Sequence, residues 1–232
     1  MDLFSSKVRV VRAIAAVIYA LFFVWYGSGG TPISREEAVN LLKSSGFSAE
    51  SAGQMAKRIL PLDGDDGRSF LMLNLVKQRE FPDYGSRADL KPAWVRSGAD
   101  ADEHYASQFL PKVIKRAGHP VFVSRSVAAL PIMYPGRTLD PSDQGDDAMP
   151  EAFSNWDYFA LVRYRSMRDL IEAVAELTSE LGSGAMQALK HSGVERTYVI
   201  PIYASAFSTF VLALVAVVMA ITAEKIAAAM PT

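Results

Sequence analysis

The 232-residue chain has no cysteine, which excludes disulfides, zinc-thiolate centres and thiol nucleophiles. Its three histidines follow no metal- or haem-ligand pattern, so neither a metal nor a cofactor is expected. There is no phosphate-binding glycine loop, no Gly-x-Ser-x-Gly elbow and no His-Glu-x-x-His. An excess of positive charge is missing too: 24 Lys and Arg face 25 Asp and Glu, without a basic stripe interleaved with aromatics, which argues against a nucleic-acid partner. The acidic stretches make no calcium loop. A twelve-residue loop starting at Asp63 would put Asn74 where a bidentate Glu is required, and Gly67 misses the sixth position. Asp140, Asp143, Asp146 and Asp147 read as a solvated loop.

Charge is also absent from two long runs. Between Arg12 and Arg35 none occurs, and Ala13 to Tyr26 (AIAAVIYALFFVWY) is wholly apolar. With the valines before it this stretch reaches about 20 residues, the length that crosses a bilayer core. A first transmembrane helix is expected over 8–27, uncleaved because the run closes on Trp25-Tyr26, an interfacial pair, and not on a small-x-small site. From Arg196 to Glu224 charge is absent again, and ASAFSTFVLALVAVVMAITA predicts a second span over 203–223. Ser205, Thr209 and Ala213 recur there every four residues, as do Ala216 and Ala220, the spacing of a close helix contact. Lys7, Arg9 and Arg12 precede the apolar run of the first span and only Arg35 follows it closely, which predicts a two-pass protein of a bacterial inner membrane with both termini cytoplasmic and the central domain periplasmic.

Between the spans the pattern changes twice. Ser34-Arg-Glu-Glu37 is a capping box and Ser48 a second helix cap, with Gly46 and Pro61 as stops, so 31–62 reads as a helical juxtamembrane adaptor. Phe70 to Val76 reads as a strand. An irregular stretch over 79–99 leads to a helix capped by Asp100-x-x-Glu103 and stopped at Gly118. Residues 120–127 form a second strand, 156–164 a third, Ser166-x-x-Asp169 caps another helix, and 197–200 is a fourth strand. The fold class expected over 68–201 is therefore α+β, in the ferredoxin-like order β-α-β-β-α-β. Along the first strand Leu71, Leu73 and Leu75 share one face, expected to meet the helices. Met72, Asn74 and Val76 share the other, expected to stay open. An open apolar face marks an interface, for which Met72, Val76, Phe159 and Leu161 are the candidates.

Four segments, MLNLVKQRE at 72–80, KRAGHPVFVSR at 115–125, WDYFALVRYRS at 156–166 and HSGVERTYVI at 191–200, together resemble an uncharacterised bacterial family of the dimeric α+β barrel superfamily. That family shows a Met-Leu-Asn-Leu strand, a Gly-Gly strand opening, a Trp-Asp-x-x-x-Leu-Val strand followed by Pro-Ser, and a His-Arg before its last strand. On this resemblance Asn74, the Trp156-Asp157 pair and His191 fall on motif positions. Arg165, Ser192 and His119 depart from it, standing where Pro, Arg and Gly are usual. The resemblance implies a sheet-to-sheet dimer enclosing a cavity.

Two functions follow as expectations. One is a membrane-anchored accessory or interaction subunit that dimerises or docks on a membrane complex. The other is a membrane-bound small-molecule enzyme of monooxygenase or isomerase type, in which Asn74, Arg163 and Trp156 bind the ligand and His191, Asp157 or His119 moves protons.

Overall fold

In a computed structural model, the described residues are 3–27, 29–60, 65–125, 156–203 and 207–229. Helix α1 (Leu3–Gly27) contains Val8–Gly27, which is long and apolar enough to cross a membrane. Two short helices follow, α2 (Arg35–Ser44) and α3 (Ala49–Ile59). The Ser34 hydroxyl accepts the Glu37 N–H, and that of Ser48 accepts the Ser51 N–H, so both caps stand where the sequence places them. These helices do not stand apart as an adaptor. Ile33, Ala38, Leu42, Ala52 and Ala56 belong to the same buried cluster as Phe70, Ile171 and Leu177. The expected Pro61 stop and the loop holding Asp140 to Asp147 lie outside the described residues.

Strands β1 (Phe70–Gln78), β2 (His119–Arg125), β3 (Tyr158–Tyr164) and β4 (Val194–Ile202) form one sheet in the order β2-β3-β1-β4, every neighbouring pair antiparallel. Helices α4 (Gly98–Lys115), α5 (Met167–Leu181) and α6 (Ala185–Ser192) complete the described domain, with a 3-10 turn at Gly85–Leu90. The cap of α4 is Ser97, not Asp100. Asp100 is instead the return member of that capping box, its carboxylate accepting the Ser97 N–H at 3.0 Å. Along the surface α4 and α5 are joined by ion pairs of Arg116 with Glu176 (2.6 Å) and Lys112 with Glu180 (2.5 Å).

The sheet faces are the reverse of the expectation. Met72 and Val76 are only 5% and 4% exposed and lie with Phe70, Ala160 and Tyr164 on the side that the helices cover. Leu71, Leu73 and Leu75 belong to the other side, with their cross-strand partners Arg163, Leu161 and Phe159. A period of two separates the residues of a strand into two sets, but both sets here are apolar, so alternation alone names neither as the core. Packing decides. Tyr164 stacks on Phe70 at 5.3 Å between ring centroids, and Ala160, small and directly opposite Asn74, leaves room for that amide.

At the far end of the chain, α7 (Phe207–Ala229) runs back antiparallel along α1. Tyr19 donates a hydrogen bond to the Leu212 carbonyl at 3.3 Å, and Arg12 pairs with Glu224 at 2.7 Å. Ala216, Ala220 and Ala223 line this helix contact. Ala213 is exposed and Ser205 lies outside the described residues, so the contact is seen on the second small-residue pair, Ala216 and Ala220.

Candidate functional site

The side of the sheet away from the helices carries Leu73, Leu75, Phe159 and Leu161 at its centre, with Phe122 and Ile200 on the flanking strands. Phe122 is 49% exposed and Ile200 46%. Phe122 and Phe159 pack with ring centroids 5.4 Å apart. Among the described residues no helix lies across this surface, except where α1 ends at its corner. Toward its outer margin the Trp156 ring meets Tyr198 edge-on at 5.7 Å, and the Arg196 guanidinium lies 4.9 Å from the Trp156 ring centre.

The corner taken by α1 is a clamp built around Arg163. This side chain is 1% exposed, donates to the carbonyls of Ala117 and Tyr26 at 2.7 Å each, and lies over the Tyr26 ring at 3.8 Å. The Nδ1 of His119 lies 3.0 Å from the Pro120 carbonyl, which can only accept, so Nδ1 carries the proton. In the neutral ring Nε2 is then the acceptor for the Tyr26 hydroxyl, 3.1 Å away. Arg163 and His119 thus join the end of the apolar helix to the sheet. Beside them Arg165 makes a two-pronged contact with Asp169, at 2.8 and 2.9 Å.

Asn74 faces the helix side. Its Nδ2 donates to the Met72 carbonyl at 3.1 Å and, more loosely, toward Ala160 at 3.5 Å, so the amide is held by its own sheet. Asp157 ties the entry of β3 to the exit of β1, accepting from Lys77 Nζ at 3.1 Å and from the Gln78 N–H at 2.6 Å. Among the described residues neither makes a hydrogen bond to His191. That side chain is exposed at the opposite end of β1 from the clamp, beside Arg79, whose Nε donates to the His191 carbonyl at 3.2 Å. Partial desolvation of the ring first, then the neighbouring Lys190 and Arg79 charges, pulls the His191 pKa below its ordinary value. The candidates for proton transfer therefore sit in separate places: His119 at the clamp, Asp157 in a strand junction, His191 at the distal end.

A polar cluster under the sheet was not visible in the sequence. The Tyr158 hydroxyl donates to Asp102 at 2.6 Å and Gln78 to the same oxygen at 3.1 Å. Burial, reinforced by Asp102, pushes the Tyr158 phenol far up, so it stays a neutral donor. His104 is a second case, buried with Nδ1 2.9 Å from the Tyr84 hydroxyl. Asp102 and His104 fall inside the helical stretch, where spacing alone reads them as surface residues.

No family model and no curated protein matches the chain. Among solved structures it is similar to RPA0582 of Rhodopseudomonas palustris, a protein of unknown function, at 18% identity over 67% of this chain and 92% of that one, with a TM-score of 0.38. The methylated form of RPA0582 gives 18% identity, 68% and 91% coverage, and a TM-score of 0.41.

Proposed function

We propose that this protein is a membrane-anchored interaction subunit whose ferredoxin-like domain pairs with a second copy through the open sheet face, in the manner of a dimeric α+β barrel, and so presents a paired domain to a membrane complex. The single observation that carries this reading is the uncovered apolar sheet surface around Leu73, Leu161, Phe122 and Ile200. A contiguous apolar surface left in water is unfavourable, by roughly 25 cal/mol per Å², and association removes that cost. A small-molecule site inside the pair has less behind it: Asn74 is turned to the helix side and Arg163 is spent on the clamp. In this reading α1 and α7 form a two-pass hairpin, both helices joining the domain at the same end of the sheet.

The test is mass photometry or native mass spectrometry of the full chain in lipid nanodiscs. The wild-type chain is expected as a homodimer. Ile200→Glu places two carboxylates close together across a two-fold interface while touching little within one copy, and is expected to give monomers with unchanged circular dichroism. A wild-type monomer, or a dimer indifferent to Ile200→Glu combined with Phe122→Glu, would reject the proposal.

A further inference from the structure

The chain holds a second feature, remote from both the sheet face and the clamp. A cleft of about 240 Å³ lies between α1 and α7, but a larger one, about 480 Å³, opens at the distal end of the domain. It is bounded by the start of α3, the Asp83–Ser86 turn and the start of α6, and Arg79, Gln187 and His191 line it. We infer that this distal cleft binds a small polar metabolite through an oxyanion group, a phosphate or a carboxylate, held by Arg79 and His191.

The geometry favours an anion for several reasons. Arg79 lines the cleft and, among the described residues, spends only the Nε of its guanidinium on a protein group, the His191 carbonyl, so its remaining N–H donors are uncommitted. Among the described residues the His191 ring and the Gln187 amide make no hydrogen bond. Asp83, the one carboxylate lining the cleft, has an oxygen occupied by the Gly85 N–H at 2.9 Å. The first turn of α6 has no side-chain cap, since Gly184 precedes it in a left-handed conformation, φ 77°, with nothing within 4 Å of where a Cβ would stand. The cleft thus brings the uncommitted N–H donors of Arg79 together with the His191 ring and the Gln187 amide, and its volume lies within the range of small-molecule sites, about 300–1,000 Å³. Serine hydroxyls at 86 and 183 give the cleft partners for hydroxyl groups beside the anion.

The occupant is a dissolved molecule and not a headgroup of the protein's own membrane. Arg79 directly follows β1, whose nine residues run away from the clamp, about 30 Å at some 3.3 Å per residue. The cleft is also on the helix side, so pairing through the sheet face leaves it open, and the inference does not depend on the dimer.

His191 is a built-in reporter, because an anion beside it stabilises the imidazolium and raises its depressed pKa. The experiment is ¹³C-histidine NMR of the full chain in nanodiscs, titrated at constant ionic strength with inorganic phosphate and, separately, with acetate. The expected result is a saturable shift of the His191 signal by one or both probes, a rise of its pKa by about one unit, and still signals from His104 and His119. Arg79→Gln is expected to weaken binding at least tenfold. Should that variant fail to fold, Gln187→Glu, at an exposed position, puts a carboxylate in the cleft and is expected to abolish the shift. A phosphate response alone would assign a phosphate ester, an acetate response alone a carboxylate. No saturable shift with either probe, an equal shift of all three histidines, or a response unchanged in the folded variant would overturn the site.

Discussion

Arg163 shows how much one side chain can decide. It is buried, and the two carbonyls it serves belong to the end of α1 and to the turn after α4. Replacing it with Met keeps the volume but leaves both acceptors without their charged donor, at roughly 1–3 kcal/mol each. Arg163→Met is expected to lower the thermal midpoint in nanodiscs by roughly 5–10 °C, read by tryptophan fluorescence. A midpoint unchanged within error would show that Tyr26 alone holds the corner. Tyr26 lies 137 residues from Arg163 along the chain, and only the fold joins them. His104 gives a second prediction at this scale. Burial lowers its pKa, so in acid the unfolded chain takes up a proton before the folded one does. Its contribution to stability is complete above the ordinary histidine value, about 6.5, and is lost as the pH falls below it. His191 shifts in the same direction. The wild-type midpoint should fall between pH 7 and pH 5, and His104→Gln should flatten that fall. Superimposable pH profiles would remove His104 from the account.

Among the elements, the end of α4 was half legible. The sequence marks Gly118 as the stop, whereas Ala117 occupies the left-handed position, φ 59°, and the Gly118 N–H closes the turn on the Val113 carbonyl at 2.9 Å. Gly118 is required for a different reason: a Cβ there would stand 2.8 Å from the Arg163 carbonyl oxygen. The two sites should respond in opposite directions. Ala117→Gly relieves a left-handed alanine and is expected to stabilise by about 1 kcal/mol. Gly118→Ala forces β3 or α4 to move and is expected to destabilise by at least about 2 kcal/mol. Denaturation of the two variants side by side checks both signs, and a loss in Ala117→Gly would reject the strain argument. Caps at Ser34, Ser48 and Ser166 were readable because a cap is a contact three residues long. The faces of β1 were not, since both are apolar and the choice between them is made by α4 and α5. The candidate site divided in the same way: residue types and strand parity were legible, whereas the cleft beside His191 depends on segments from four parts of the chain.

For the whole molecule the decisive fact is that chain entry and exit share one end. Tyr26 is fixed to β3 through Arg163, β4 ends at Ile202 opposite Leu71, and α7 returns along α1 with Arg12 against Glu224. A hairpin of that kind, set in a bilayer, puts the start of α1 and the residues after α7 on one side and the domain on the other. The absence of cysteine makes this directly measurable, because each introduced thiol is the only one. Ser5→Cys and Thr232→Cys should resist a membrane-impermeant maleimide in intact spheroplasts and react after permeabilisation. Ser179→Cys, exposed at the distal end of α5, should react before it. The mirrored pattern would keep the hairpin and turn the domain to the cytoplasm. Opposite accessibility of the two terminal positions would break the hairpin itself, and with it the inference that α7 crosses the membrane beside α1.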